Sequence, residues 1–139
     1  MEVPFVDLSR ESELLMTDLI KSTKQVLQSG IYINGPNVKE FERLTAEYFG
    51  VEYVISVGNG SDALTFILRT LDLEKGDEII LPANSFIATA WAVIAAGAKP
   101  VFCDVGNDML MDVEDFEKKV GSKTIGVIPV HLTGRVFDV

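Results

Sequence analysis

Between Ser56 and Leu64 an apolar run gives way to Gly58-Asn59-Gly60-Ser61-Asp62 and then to an apolar-periodic stretch, the layout of a strand passing through a glycine turn into a helix. The first backbone N–H groups of such a helix have no intrahelical acceptor, and the positive end of the helix dipole adds to their pull on an anion. Gly58 and Gly60 let the backbone bend and approach a ligand closely, and Ser61 can add a hydroxyl. The same residues also make an ordinary strand-to-helix turn capped by Ser61 or Asp62, and spacing alone favours that plainer reading. A dinucleotide fingerprint would need glycine where Ala63 stands, and a P-loop would need a Gly-Lys-Ser/Thr ending. The chemistry left open is a site for one phosphate at a βα loop, on the carboxyl edge of a sheet.

A second segment, Leu81-Pro82-Ala83-Asn84-Ser85-Phe86-Ile87, follows the next apolar run, so its polar residues fall on the same sheet edge as the glycine turn. The ring of Phe86 could stack on a flat heterocycle there, or simply fill core. His131 follows the last apolar run on that edge; without a second ligand or a nucleophile beside it, a structural histidine is the favoured reading. Lys21, Lys24, Lys39, Lys75, Lys99, Lys118, Lys119 and Lys123 all read as solvated surface, and none is assigned catalysis. Asp112, Glu114, Asp115 and Glu117 read as the solvated acidic face of a helix, with no metal-ligand spacing, and Trp91 as core. Cys103 is the only cysteine and lies in the apolar run Val101-Phe102-Cys103, the setting of a buried free thiol.

The elements that would position these residues begin with two amphipathic helices. One spans Ser9 to Ser29, capped by Ser9 or Ser12 and ended by Gly30; the other runs from Pro36 to about Phe49 and stops at Gly50. From Val51 onward short apolar runs alternate with helical ones. Strands are expected at Tyr53–Val57, Glu78–Leu81, Pro100–Cys103 and Thr124–Val130, and helices at Ser61–Leu71, Phe86–Ala96 and Val113–Val120. That βαβαβαβ order predicts an α/β fold with a parallel sheet flanked by helices. A further crossover helix should follow the last loop, so the chain reads as one interrupted after residue 139.

The 139 residues suffice for a compact core, and 47% hydrophobic with 24% charged residues is a globular composition. A net charge of −9 argues against nucleic acid as partner, since phosphate backbones are bound by clustered Lys and Arg. The first residues carry no basic-then-apolar leader pattern. The longest apolar stretch, Phe86 to Gly97, is shorter than the roughly 20 residues needed to span a bilayer, so no membrane role is expected and the cytoplasm is the expected location.

In order and spacing, Gly58-Asn59-Gly60-Ser61-Asp62-Ala63-Leu64, Gly76-Asp77-Glu78-Ile79-Ile80-Leu81-Pro82-Ala83-Asn84-Ser85-Phe86-Ile87-Ala88-Thr89-Ala90 and Gly97-Ala98-Lys99-Pro100-Val101-Phe102-Cys103-Asp104 resemble the DegT/DnrJ/StrS family of sugar aminotransferases. Val130-His131-Leu132-Thr133-Gly134-Arg135 and Ser29-Gly30-Ile31-Tyr32-Ile33-Asn34-Gly35-Pro36 continue the resemblance in register. It implies an N-terminal helical segment over residues 1–50 and, over 51–139, the incomplete large domain of a transferase with the aspartate-aminotransferase-like fold. The implied cofactor is pyridoxal 5'-phosphate, its phosphate held at Gly60, Ser61 and Asp62 and its ring stacked on Phe86. Tyr32, Ile33 and Asn34 would lie near the substrate. The resemblance also implies a homodimer with shared active sites, transferring an amino group from glutamate to a nucleotide-linked keto-sugar in polysaccharide or glycoside biosynthesis.

The family's aspartate partner for the pyridine nitrogen and its Schiff-base lysine would match positions after residue 139, so the chain by itself is expected to be inactive. A family variant with histidine in place of that lysine is a sugar dehydratase. The alternative from another class is a non-catalytic module that binds a phosphate-bearing ligand or an assembly partner. The resemblance further puts the first strand beside neighbours drawn from later sequence, leaving it unpaired here.

Overall fold

A computed structural model describes residues 3–138 of the chain, which divides into two compact units after Ser56. In the first unit, α1 spans Leu8–Ser29 and α2 spans Pro36–Phe49. The cap of α1 is Asp7 rather than Ser9 or Ser12: its Oδ1 accepts the Arg10 N–H at 3.3 Å and the Ser9 hydroxyl at 2.6 Å. An aspartate one turn ahead of the apolar run outcompetes the serines because its charge also favours the helix dipole. Ser9 supports the cap from inside the helix. Gly30 ends α1 at φ +66°, a left-handed turn suited to glycine. Pro36 opens α2 at a position where no N–H is needed, and on its surface Arg43 pairs with Glu40 at 2.8 Å and Glu47 at 3.1 Å. Neither helix buries a residue.

The strand expected at Tyr53–Val57 does not form. Among the described residues no segment pairs with it, Tyr53 is 76% and Ile55 82% exposed, and the Ser56 N–H donates to the Glu42 carboxylate at 2.8 Å instead of to a ladder. β-branched sequence makes a strand only where a neighbour supplies its hydrogen bonds.

The second unit runs α3 (Gly60–Arg69), β1 (Glu78–Pro82), α4 (Ile87–Ala96), β2 (Lys99–Cys103), α5 (Val113–Lys119), β3 (Thr124–Val127) and a short 3₁₀ turn, Leu132–Gly134. The three strands form a parallel sheet in the order β2-β1-β3. Alternation along β1 sorts the core onto two faces. Ile79 and Leu81 pack with Leu68, Ala90 and Val93 of α3 and α4, while Ile80 packs with Cys103, Met111 and Phe116 on the side of α5. Helix α4 thus crosses on one face, from β1 to β2, and α5 on the other, from β2 past β1 to β3, as right-handed connections running in opposite directions across the sheet require.

β3 is shorter than expected. One further rung, Ile128 N–H to Ile80 O at 2.8 Å, follows it, and then Pro129 has no N–H to donate. Trp91, expected in the core, is 64% exposed. The inner side of α4 is filled by Ala88, Thr89, Ala90, Ala92 and Val93, small side chains that let the helix lie close to its neighbours and leave the indole on the opposite side. Among the described residues no helix is long and apolar enough to cross a membrane.

Candidate functional site

The loops after β1 and β3 leave the sheet on either side of the point where the strand order reverses, the place where open α/β sheets accommodate ligands. A cavity of about 410 Å³ lies there, walled by Ser85, Phe86 and Thr89 after β1, by Val130 and Leu132 after β3, and by Gly60, Ser61 and Leu64 of α3. Of the residues expected to hold a cofactor, Gly60, Ser61 and Phe86 therefore share one cavity; Asp62 does not line it.

The start of α3 explains that division. Asn59 is the cap: its Oδ1 accepts the Asp62 N–H at 3.0 Å, and its Nδ2 donates to the Asp62 carboxylate at 3.0 Å. This reciprocal pair takes the cap away from Ser61 and Asp62, where the sequence pattern put it, because Asn59 stands in extended backbone one residue before the helix. It also turns Asp62 back over Gly58, where a Cβ would come within 2.9 Å of its Oδ2. The amides of Gly60 and Ser61 and the Ser61 hydroxyl have no acceptor among the described residues. A Cβ on Gly60 would meet no atom within 4 Å. Gly60 and Ser61 thus bring two N–H donors and a hydroxyl to the cavity at the positive end of a ten-residue helix, with open space beside Gly60.

Opposite them, the Phe86 ring is 76% exposed, which excludes the core-filling role for it. The Ser85 and Thr89 hydroxyls lie 2.6 Å apart and fix the loop below that ring onto the first turn of α4. A small, flat, phosphate-bearing heterocycle suits the residues that line this cavity: open anion donors at Gly60 and Ser61, an exposed aromatic ring at Phe86, and a glycine where a side chain would take up space.

Tyr32, Ile33 and Asn34 belong to the first unit, in the loop between α1 and α2. Tyr32 lines a pocket of about 260 Å³ with Gln25, Val26, Pro36 and Val38, while Ile33 is 84% exposed. Asn34 takes a left-handed conformation, φ +50°, which asparagine tolerates better than most residues.

The remaining candidates act elsewhere. His131 accepts the Phe137 N–H on Nδ1 at 2.9 Å and so closes its own loop. Cys103 is buried, donates toward the Asp112 carbonyl at 3.3 Å, and has its thiol pushed up to about 11, mainly by burial and then by the nearby Asp115 charge. Asp112 and Asp115 are not simply a solvated face: Asp112 caps α5 through the Asp115 N–H at 2.9 Å, and Asp115 accepts the Asp104 N–H at 2.7 Å. That bond, with Lys119 at 3.2 Å, holds the Asp115 carboxyl below its ordinary range. No group of three metal-ligating side chains occurs among the described residues. Asn59, Ser85 and Thr89 were not singled out from the sequence. Asparagine just ahead of an apolar-periodic run is a cap signal, and Ser85 and Thr89 stand four apart, one helical turn.

The fold and cavity define an α/β protein with an open cavity at the carboxyl edge of a parallel sheet, beside the first turn of a helix. The sequence profile of the DegT/DnrJ/EryC1/StrS aminotransferase family matches residues 14–139, and the chain belongs to that family. It is 40% identical over 137 residues to the dTDP-3-amino-3,6-dideoxy-alpha-D-galactopyranose transaminase of Aneurinibacillus thermoaerophilus, a match covering 98% of this chain and 38% of that one. The crystal structure of NtdA from Bacillus subtilis with bound cofactor PMP superposes with a TM-score of 0.92 at 34% identity, over 99% of this chain and 32% of that one. The E. coli GDP-4-keto-6-deoxy-D-mannose-3-dehydratase with bound hydrated PLP gives a TM-score of 0.76 at 32% identity, over 83% and 31%. The chain thus spans under two-fifths of the length of these relatives, and over that length its α/β fold is theirs.

Proposed function

We propose that this chain is the cofactor-cradling part of a pyridoxal-phosphate-dependent enzyme that transfers an amino group to a nucleotide-linked keto-sugar. The observation that carries the proposal is the cavity lined by Gly60 and Ser61, whose amides have no acceptor among the described residues, together with the exposed Phe86, in a chain of this family. The Gly60 and Ser61 N–H groups and the Ser61 hydroxyl bind the phosphate dianion, and the α3 dipole adds to their attraction. Phe86 lies along one face of the heterocycle and keeps water from it. Asp62 holds the turn in shape through Asn59. The cofactor, when bound, supplies an electron sink for carbanion chemistry at an amine-bearing carbon.

The proposal extends to glutamate as donor, to a homodimer sharing its active sites, to a cytoplasmic setting, and to Tyr32, Ile33 and Asn34 as contacts of the sugar nucleotide. Likeness to a 3-dehydratase supports a second reading, in which the complete site removes a hydroxyl instead of transferring an amine.

Equilibrium dialysis against pyridoxamine phosphate tests the cradle, because this form lacks the aldehyde that would label surface lysines. The expected result is saturable binding that inorganic phosphate competes away and that Ser61→Glu abolishes. Absence of saturable binding by the chain would sink the proposal.

A further inference from the structure

The two walls of the cavity, the loop Ala83–Phe86 after β1 and the loop Val130–Arg135 after β3, are held locally by their own hydrogen bonds, and both are also fastened to the same third segment. Asn84 Nδ2 donates to the Met109 carbonyl at 3.0 Å, and Arg135 Nη1 donates to the Asp108 carbonyl at 2.6 Å. These are adjacent carbonyls of one turn. The turn is rigid: Gly106 N–H bonds Leu110 O at 2.9 Å, Met109 N–H bonds Gly106 O at 2.9 Å, and Leu110 N–H bonds Asp108 Oδ1 at 3.0 Å. Val105 and Met111 close it as an antiparallel bridge, and Leu110 and Met111 anchor it, 8% and 5% exposed. Met109 itself sits at φ +66°, a conformation that a non-glycine residue keeps only where the surroundings impose it.

We infer that Asn84 and Arg135 are positioning residues, which set the separation of the two cavity walls by fastening both to the Asp108–Met109 turn. Neither lines the cavity, whereas Ser85 and Phe86, next to Asn84, and Leu132, three residues before Arg135, do. Asn84 fixes where the Phe86 ring stands, and Arg135 fixes the wall opposite. The turn lies outside the cavity, so its sequence can hold the site without meeting the ligand. The inference rests on the proposed cofactor site for its functional meaning, but its mechanical content stands apart from it.

The test uses the whole chain with Asn84→Ala, Asn84→Leu and Arg135→Gln, and two readouts. Asn84→Leu keeps the side-chain volume while removing the donor, which covers the case in which the alanine variant fails to fold. Backbone ¹⁵N order parameters should fall at Ser85 and Phe86 in the Asn84 variants, and at Leu132 and Thr133 in Arg135→Gln, from the rigid range toward about 0.6, while β1 and β2 keep their values. Dissociation constants for pyridoxamine phosphate should rise about three- to tenfold, the equivalent of one hydrogen bond. Unchanged order parameters, or a loss spread evenly over the unit, would overturn the inference. If the wild-type chain binds no pyridoxamine phosphate, the cofactor proposal fails, and the order parameters alone decide for or against the fastening.

Discussion

Replacing Gly60 by alanine should move stability and binding in opposite directions. Gly60 is the first residue of α3, its φ is not in the left-handed region, and an added Cβ would meet no atom within 4 Å. Alanine there restricts the unfolded chain and suits a helix, so the empty protein should gain about 0.5 to 1 kcal/mol. For a domain of this size that is a rise of roughly 2 to 6 °C in Tm. The same methyl borders the cavity between the two free amides, where a phosphate would need to come within hydrogen-bond distance. Pushing the anion off one charge-assisted hydrogen bond costs about 1.5 to 3 kcal/mol, or roughly ten- to a hundredfold in Kd.

Urea unfolding followed by far-ultraviolet circular dichroism reads the first effect, and dialysis with pyridoxamine phosphate reads the second. A Gly60→Ala chain that binds as tightly as wild type would refute the assignment of those amides to the phosphate. One that loses stability would refute the claim that the space over Gly60 is empty.

Three further outcomes follow from the same geometry. Asn59→Ala removes the α3 cap and its bond to Asp62, and should lower stability by about 1 kcal/mol, seen as a reduced urea midpoint with unchanged slope. Cys103, buried and with its thiol raised to about 11, should react with an aromatic disulfide reagent only as fast as the unit opens, and at full speed in denaturant. The folded state depresses the Asp115 carboxyl, chiefly through the Asp104 N–H and then Lys119, so its contribution is complete above the ordinary carboxylate range of about 4 and fades as pH falls through the lower folded value. Urea midpoints measured against pH should therefore show a shallower acid decline for Asp115→Asn than for wild type, from a lower plateau at neutral pH.

Most of the second unit was legible in the sequence because its signals are local. Ile79-Ile80-Leu81 is apolar throughout, as a strand covered on both faces must be, and the structure covers it on both. Helix α2 has Pro36 and Gly50 as unambiguous ends. What could not be read depends on neighbours. Tyr53–Val57 has strand composition and no strand, because pairing is a property of two segments. Trp91 looked like core because a large aromatic on an apolar helix usually is, yet which side of a helix faces inward is settled by the partner, and here alanines 88, 90 and 92 win that side. Asp7 displaces Ser9 as cap because it stands just before the first helical residue with a charged acceptor that reaches the Arg10 N–H.

At the site, the sequence offered two competing readings of the same few residues, a helix cap or an anion cradle, and treated them as alternatives. The structure removes the competition by giving the cap to Asn59. With Asn59 satisfying the Asp62 N–H, and Asp62 bound back to Asn59, Ser61 is spared the role that would have occupied its hydroxyl. Capping and cradle are consecutive tasks of one turn: the third amide is closed by the protein so that the first two, at Gly60 and Ser61, can be left open without unravelling the helix. A turn that merely started a helix would gain by closing all of them, for instance with a serine or aspartate positioned to reach Gly60 or Ser61. Gly60 is exposed, so water can satisfy these donors in the empty protein; two donors left open beside an exposed phenylalanine are the physical reason to look for an anion there.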